Sequence, residues 1–340
     1  MNIVGTVEPS DVDRITGKVF MTEGDKSRNL SAFWVLLTLS AVIATAGVIA
    51  DSTATVIGAM IVAPLMTPIL GTAMAIVLAR RAAMLRSASL VAGGALLVVA
   101  VGYLLGLLMP VDVVADTNSQ VSGRVNPGLI DLVAALATGL VGAFALLRSE
   151  ISDTLPGVAI AISLVPPLAV IGLTAEAGAW QESFGALVLF STNVAAIIAT
   201  GTLLMLVAGV RDIAKGSGIE VGKLRGRTLA GVGSLLLLVS VPLALGSGSA
   251  LLQHYLAGQV QDVADDWAKE ENWVVTDVSV SNNFGDFNVA VRAVGQPPEA
   301  NKQTFRRKLD AAGLESVEVE MTLLFGGQVN LAPEGSDRGE

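Results

Sequence analysis

Hydrophobic positions fall into long blocks over the first 250 residues and into short alternating patterns afterwards. Seven blocks are long enough to cross a bilayer, at roughly 30–50, 53–79, 87–109, 128–147, 154–175, 184–209 and 229–249. A span needs about 20 apolar residues at about 1.5 Å rise each. Before the first block, DVDRITGKVF sets Val12, Ile15 and Val19 at spacings of three and four. That stripe predicts a short amphipathic helix, lying in the membrane interface or covering the inner end of the bundle. After the last block, GSGS at 246–249 ends the helical pattern, and a helix carrying Leu252, Tyr255, Leu256, Val263 and Trp267 follows. Alternation in WVVTDVSVS and DFNVAVRAV predicts two strands joined at NNFG; PEANKQTFRRKLDAAG predicts a helix and VEVEMTLL a third strand.

The expected fold is therefore an all-α polytopic membrane bundle of about seven spans, with a small C-terminal extracytoplasmic α+β domain. Its segments are a cytoplasmic amphipathic stretch (1–29), the transmembrane domain (30–250), the α+β domain (251–325) and a flexible tail (326–340). The seven spans divide as a 3+3 inverted repeat plus one. Spans two and five both carry a glycine followed by a proline pair: Gly58 with Pro64 and Pro68, Gly157 with Pro166 and Pro167. Three spans per half turn the second half over. Proline lacks an N–H and clashes with the carbonyl four residues back. In lipid, the freed backbone group has to be satisfied by protein, water or ligand. Proline-interrupted spans at corresponding places in two halves mark a transporter-like binding site, although simple kinks packed by neighbouring helices give the same pattern.

Composition reinforces the membrane assignment: 52% of residues are hydrophobic and only 15% charged, against about 25% charged in soluble domains. Glycine, at 36 residues, suits close helix approach. With no cysteine and a single histidine, His254, disulfides, thiolate metal sites and cysteine nucleophiles are excluded, and no metal site or cofactor is expected. No phosphate loop or nucleophile motif occurs, so no enzymatic activity is expected. From residue 251 onward there are 7 Lys+Arg against 15 Asp+Glu, which disfavours a nucleic-acid partner.

Basic residues fix the expected orientation. With a cytoplasmic N-terminus, 13 of the Lys and Arg in the first 250 residues fall in inside segments and only Arg124 falls outside. That bias places the protein in the cell membrane with its N-terminus inside, and an odd span count places the C-terminal domain outside. A small sheet with two open edges, together with apolar bundle faces, leads us to expect a homo-oligomer, cyclic about the membrane normal.

FW at 33–34, IADS at 49–52, IGAMIVAPLMTP at 57–68, PGVAIAISLVPPL at 156–168 and STN at 191–193 resemble an uncharacterised hydrophobic-domain family of prokaryotic membrane proteins, the domain of unknown function numbered 389. The resemblance covers roughly residues 30–210. It implies a multi-pass membrane protein of bacteria or archaea and carries no activity with it.

The candidate path residues follow from depth and chemistry. Asp51 and Glu150 lie at span ends and are expected at opposite mouths. Pro64, Thr67, Pro68, Ser163, Pro166, Pro167 and Asn193 are expected around one site near the bilayer midplane, with Ser191 and Thr192 beside Asn193. Hydroxyl, amide and freed carbonyl oxygens suit a small polar solute or an alkali cation. No span carries an acid or histidine at depth, which argues against a proton relay. The expected function is a transporter or channel whose path runs through the two broken spans. The alternatives are a membrane scaffold or sensor, whose acidic outer domain binds a ligand or partner, and an intramembrane enzyme acting on lipid.

Overall fold

The computed structural model describes residues 8–21, 25–110, 112–148, 164–222, 233–234, 255–283, 286–296, 301–315 and 317–326, with backbone alone at 279, 281–283 and 286–288. The chain divides into two compact units, Met1–Ala244 and Leu245–Glu340.

The first unit is helical. Helix α1 (Pro9–Val19) buries Val12, Ile15 and Val19 completely or nearly so, so its stripe packs on protein. Helix α2 (Lys26–Ile49) buries Phe33, Leu37, Ala41, Ala44 and Val48 on one face. Its opposite face exposes Val35, Leu36, Leu39, Val42 and Ile43. A helix that is apolar all round suits a hydrocarbon environment. Helices α3 (Thr53–Val62) and α4 (Met66–Val77) follow, then α5 (Arg81–Gly106), α6 (Ser119–Val125) and α7 (Leu129–Leu147). The unit continues through α8 (Val165–Glu176), α9 (Trp180–Val207) and α10 (Val210–Gly216).

Among the described residues, α2, α5, α7 and α9 are each long and apolar enough to cross a membrane, and α3 with α4 forms a bent pair that makes a fifth. Residues 154–163 of the expected span 154–175, and all of 229–249 except residues 233–234, lie outside the described residues.

Helix α5 organises the bundle through small residues. Gly94, Val98, Gly102 and Gly106 recur every four positions and are all buried. Leu65, just before α4, lies against Gly94 near the middle of α5, while Ala169 and Gly172 of α8 lie against Gly102. Helix α4 ends beside the start of α5, and Glu176 at the end of α8 reaches Gly106 near its finish. The two 12-residue helices thus lead to opposite ends of α5. The contacts of Leu65 and Ala169 on α5, at Gly94 and Gly102, lie about two turns apart.

The second unit opens with helix α11 (255–271), then strands β1 (Trp273–Asn283) and β2 (Asp286–Gly295), helix α12 (Lys302–Ala311) and strand β3 (Glu318–Phe325). The sheet order is β1-β2-β3, antiparallel then parallel, with a register irregularity between Val275 and Asp277. Val260, Ala264 and Trp267 of α11 and Phe305 and Leu309 of α12 cover one sheet face over Val289, Val291 and Ala293. The buried Trp267 indole donates to the Asn301 carbonyl at 3.1 Å, which satisfies its one polar atom. The strands run further into NNFG than the alternation alone indicates. Helix α12 begins at Lys302, later than the proline suggested, because the Asn301 side chain accepts from the Gln303 and Thr304 amides and caps it.

Candidate functional site

The residues Ala63–Pro64–Leu65 break the second span. Pro64 disfavours a helical conformation in the residue before it, and Ala63 is extended, at φ −66° and ψ 125°. Helix α4 restarts at Met66 with its axis bent 48° from α3. The Thr67 amide still reaches the Pro64 carbonyl at 3.3 Å, and the Ile69 amide reaches that of Leu65 at 3.4 Å. Ser40 of α2 donates to the Ala59 carbonyl at 2.8 Å, which ties α3 to the bundle four residues before the break.

Pro68 occupies the third position of α4, and Pro166 and Pro167 occupy the second and third positions of α8. First-turn amides have no intrahelical partner to lose. These three prolines therefore sit in first turns, and among the described residues Pro64 is the one that parts two helices of a single span. Counted from the helix starts, Pro68 corresponds to Pro167, a pairing that aligning Pro64 on Pro167 does not give.

A cavity of about 270 Å³ opens at the break, lined by Lys18 of α1, by Pro64 and Thr67, and by Gly142, Ala145 and Leu146 on or near the end of α7. Arg14 brings α1 to α7 by donating to the Leu146 carbonyl at 3.0 Å. Gly142 lies over Met66 and Leu70, where a side chain would close the approach. The half-buried Thr67 hydroxyl has no hydrogen-bond partner among the described residues.

Asn193 is buried on α9. Its helical neighbours Phe190 and Ile197 belong to the large bundle core that also holds Leu65, Met66, Leu164 and Val165, but Asn193 is not among the residues lining the cavity at the break. Thr192 is fully buried, and its hydroxyl donates to the Val188 carbonyl of its own helix, while Ser191 is exposed. Glu150 and Ser163 lie outside the described residues.

Asp51 stands apart from the break. It turns the chain between α2 and α3 at φ 48°, and its carboxylate accepts from the Ser119 hydroxyl at 2.6 Å and the Gln120 amide at 3.1 Å. The Ser119 hydrogen bond, foremost, holds its carboxyl below the usual carboxylate range. Asp51 thereby anchors α6, as does the Asn118 side-chain amide that donates to the Val48 carbonyl. Glu182 accepts from the Ala115 amide at the same end of the bundle.

Lys18, Gly142 and Ala145 were missed by the sequence reading. No local signal places α1 against α7; the only trace is the Val12, Ile15, Val19 stripe, which requires a partner surface without naming it.

Apolar helices of spanning length, one of them broken, define a membrane protein of the helical class. Residues 60–199 match the family described as "Domain of unknown function (DUF389)". This is the family that the proline motifs resemble, and the matched range holds the break, α7 and Asn193. An uncharacterized protein of Methanocaldococcus jannaschii is 32% identical over 176 residues, covering 52% of this chain and 54% of the relative. The chain thus spans about half the length of the curated relative it matches. No solved structure matches it.

Proposed function

We propose that the protein is a transporter or channel for a small polar solute or cation, with its path passing the break between α3 and α4. The observation that carries this reading is a helix interruption opening on a cavity, because irregular backbone at membrane depth is tolerated where protein buries it or water reaches it. Terminal carbonyls of α3 and the Thr67 hydroxyl are the ligands it offers, and we propose that the path continues past Asn193. The opposite courses of α4 and α8 along α5 support an inverted repeat, the arrangement in which such sites form at the repeat interface. Arg80 and Arg211 lie towards the end where α4 finishes, and Glu176 and Glu182 towards the other. This supports an inside N-terminus; with the odd span count expected from the sequence, we propose that the C-terminal domain lies outside.

The test uses the natural absence of cysteine, which makes any introduced thiol unique. Thr67→Cys is expected to react with a membrane-impermeant maleimide applied from the cytoplasmic side. Ala73→Cys, fully buried on α4, is expected to stay unreacted. A Thr67→Cys as inert as Ala73→Cys, or one reached only from outside, would overturn the reading.

A second reading, a scaffold or sensor, is favoured by the separate core of the C-terminal unit. It stands if Thr67→Cys is inert. In either case we propose a cyclic homo-oligomer. The expected mass in mild detergent is a multiple of the 34.8 kDa chain, and a monomeric mass with no crosslinks in native membranes would contradict it.

A further inference from the structure

A second recess, of about 480 Å³, lies at the corner between α4 and α5, away from the break. Its walls carry Arg80, Arg81 and Arg86 together with Glu220 and Gly222. The corner is built rather than incidental. Arg211 donates to the Val77 carbonyl and to the Gly222 carbonyl, both at 2.6 Å, and the Gly222 amide donates to the Leu78 carbonyl at 2.9 Å. Ala79 takes a positive φ of 54° to turn the chain there. Arg80 is engaged, its guanidinium 5.2 Å from the centre of the Phe20 ring. Arg81 and Arg86 are exposed.

What lies beyond the recess indicates its ligand. Along α5, Arg81 heads an exposed stripe through Leu85, Ala92, Leu96 and Leu104 at helical spacing. Leu85 is 65% and Leu96 71% exposed. Such a stripe on a spanning helix faces acyl chains, so the guanidinium groups at its head sit at headgroup depth. Guanidinium forks match phosphate oxygens in a planar, two-bonded geometry, and basic pockets beside spanning helices on the cytoplasmic side take anionic headgroups. One carboxylate, Glu220, opposes the arginines.

We propose that this recess binds the phosphate of an anionic phospholipid, with the acyl chains lying along the α5 stripe. Arg81 and Arg86 supply the contacts, and Glu220 weakens them. The site is independent of the path past Pro64 and stands whether or not that path conducts.

The test is native mass spectrometry on the full chain in neutral detergent, titrated with phosphatidylglycerol, phosphatidylcholine or inorganic phosphate. Phosphatidylglycerol is expected to be retained at least about tenfold better than phosphatidylcholine, and the Arg81→Gln/Arg86→Gln variant is expected to lose that preference. Glu220→Gln is expected to strengthen it. An unfolding temperature in phosphatidylcholine equal to wild type shows that the double variant is folded. Equal retention of the two lipids by wild type would overturn the proposal. So would a folded double variant that keeps the preference. Inorganic phosphate displacing phosphatidylglycerol at equal concentration would overturn the lipid assignment, because the chains would then contribute nothing.

Discussion

Gly172→Val is expected to prevent stable assembly of the bundle, while Gly58→Ala leaves it intact or slightly more stable. At position 172 a Cβ would strike the Val99 carbonyl oxygen and the Tyr103 amide of α5. Both are backbone atoms of a helix packed along its length and cannot rotate aside. Relief requires α8 to move away from α5, which also separates Gly102 from Ala169. Overpacking of this kind costs about 3 kcal/mol or more when backbone has to shift. In a membrane, where close packing of small residues supplies much of helix association, that is a large share of the total. Gly58 is the matched control, since a Cβ there meets nothing within 4 Å. Alanine within helix α3 gains about 0.5–1 kcal/mol from lost backbone freedom in the unfolded chain. Thermal unfolding in detergent separates the two. A Gly172→Val protein that unfolds at the wild-type temperature would show that α5 and α8 do not meet as described.

How far the sequence revealed this arrangement depended on the range of the interaction. Block hydrophobicity located α2, α5, α7 and α9, because a spanning helix is written in its own composition. The break at Pro64 was legible for the same local reason: a proline after ten helical residues restricts the residue before it. Pro68, Pro166 and Pro167 look identical in sequence but sit in first turns, and only the starting points of α4 and α8 distinguish the two situations. Those starts are set by packing of Leu65 on Gly94 and Ala169 on Gly102, contacts between residues far apart in the chain. Asn301 is the contrary case, a local cap signal that was present and overshadowed by the nearby proline. Asp51 was read as a mouth of the path from its position at a span end. Its carboxylate reaches Ser119 and Gln120, partners 68 and 69 residues away, which no spacing rule connects. The cavity wall supplied by Lys18 and Ala145 was hidden for the same reason.

Pro64→Ala is expected to join α3 and α4 and to close the cavity at their junction. Alanine restores an amide at position 64 that can bond the Met60 carbonyl, and it frees Ala63 to become helical. The gain from removing a proline inside a helix reaches about 3 kcal/mol. What resists the change is packing, and the resistance is uneven. Every residue of α4 except Thr67 is buried, whereas α3 buries only Val56 and Ala59. Helix α3 is therefore the half that moves as the 48° bend straightens. Its end carries Ile61 and Val62, which line the cavity, so the wall of the site moves with it. In a Thr67→Cys background the maleimide reaction is expected to slow about tenfold, the change that a shift of roughly 1.4 kcal/mol between open and closed arrangements produces. The unfolding temperature is expected to hold or rise, which separates closure of the cavity from loss of the fold. An unchanged reaction rate in a folded Pro64→Ala protein would mean that α2, holding α3 through Ser40, sets the bend. The proline would then be a consequence of the break and not its cause.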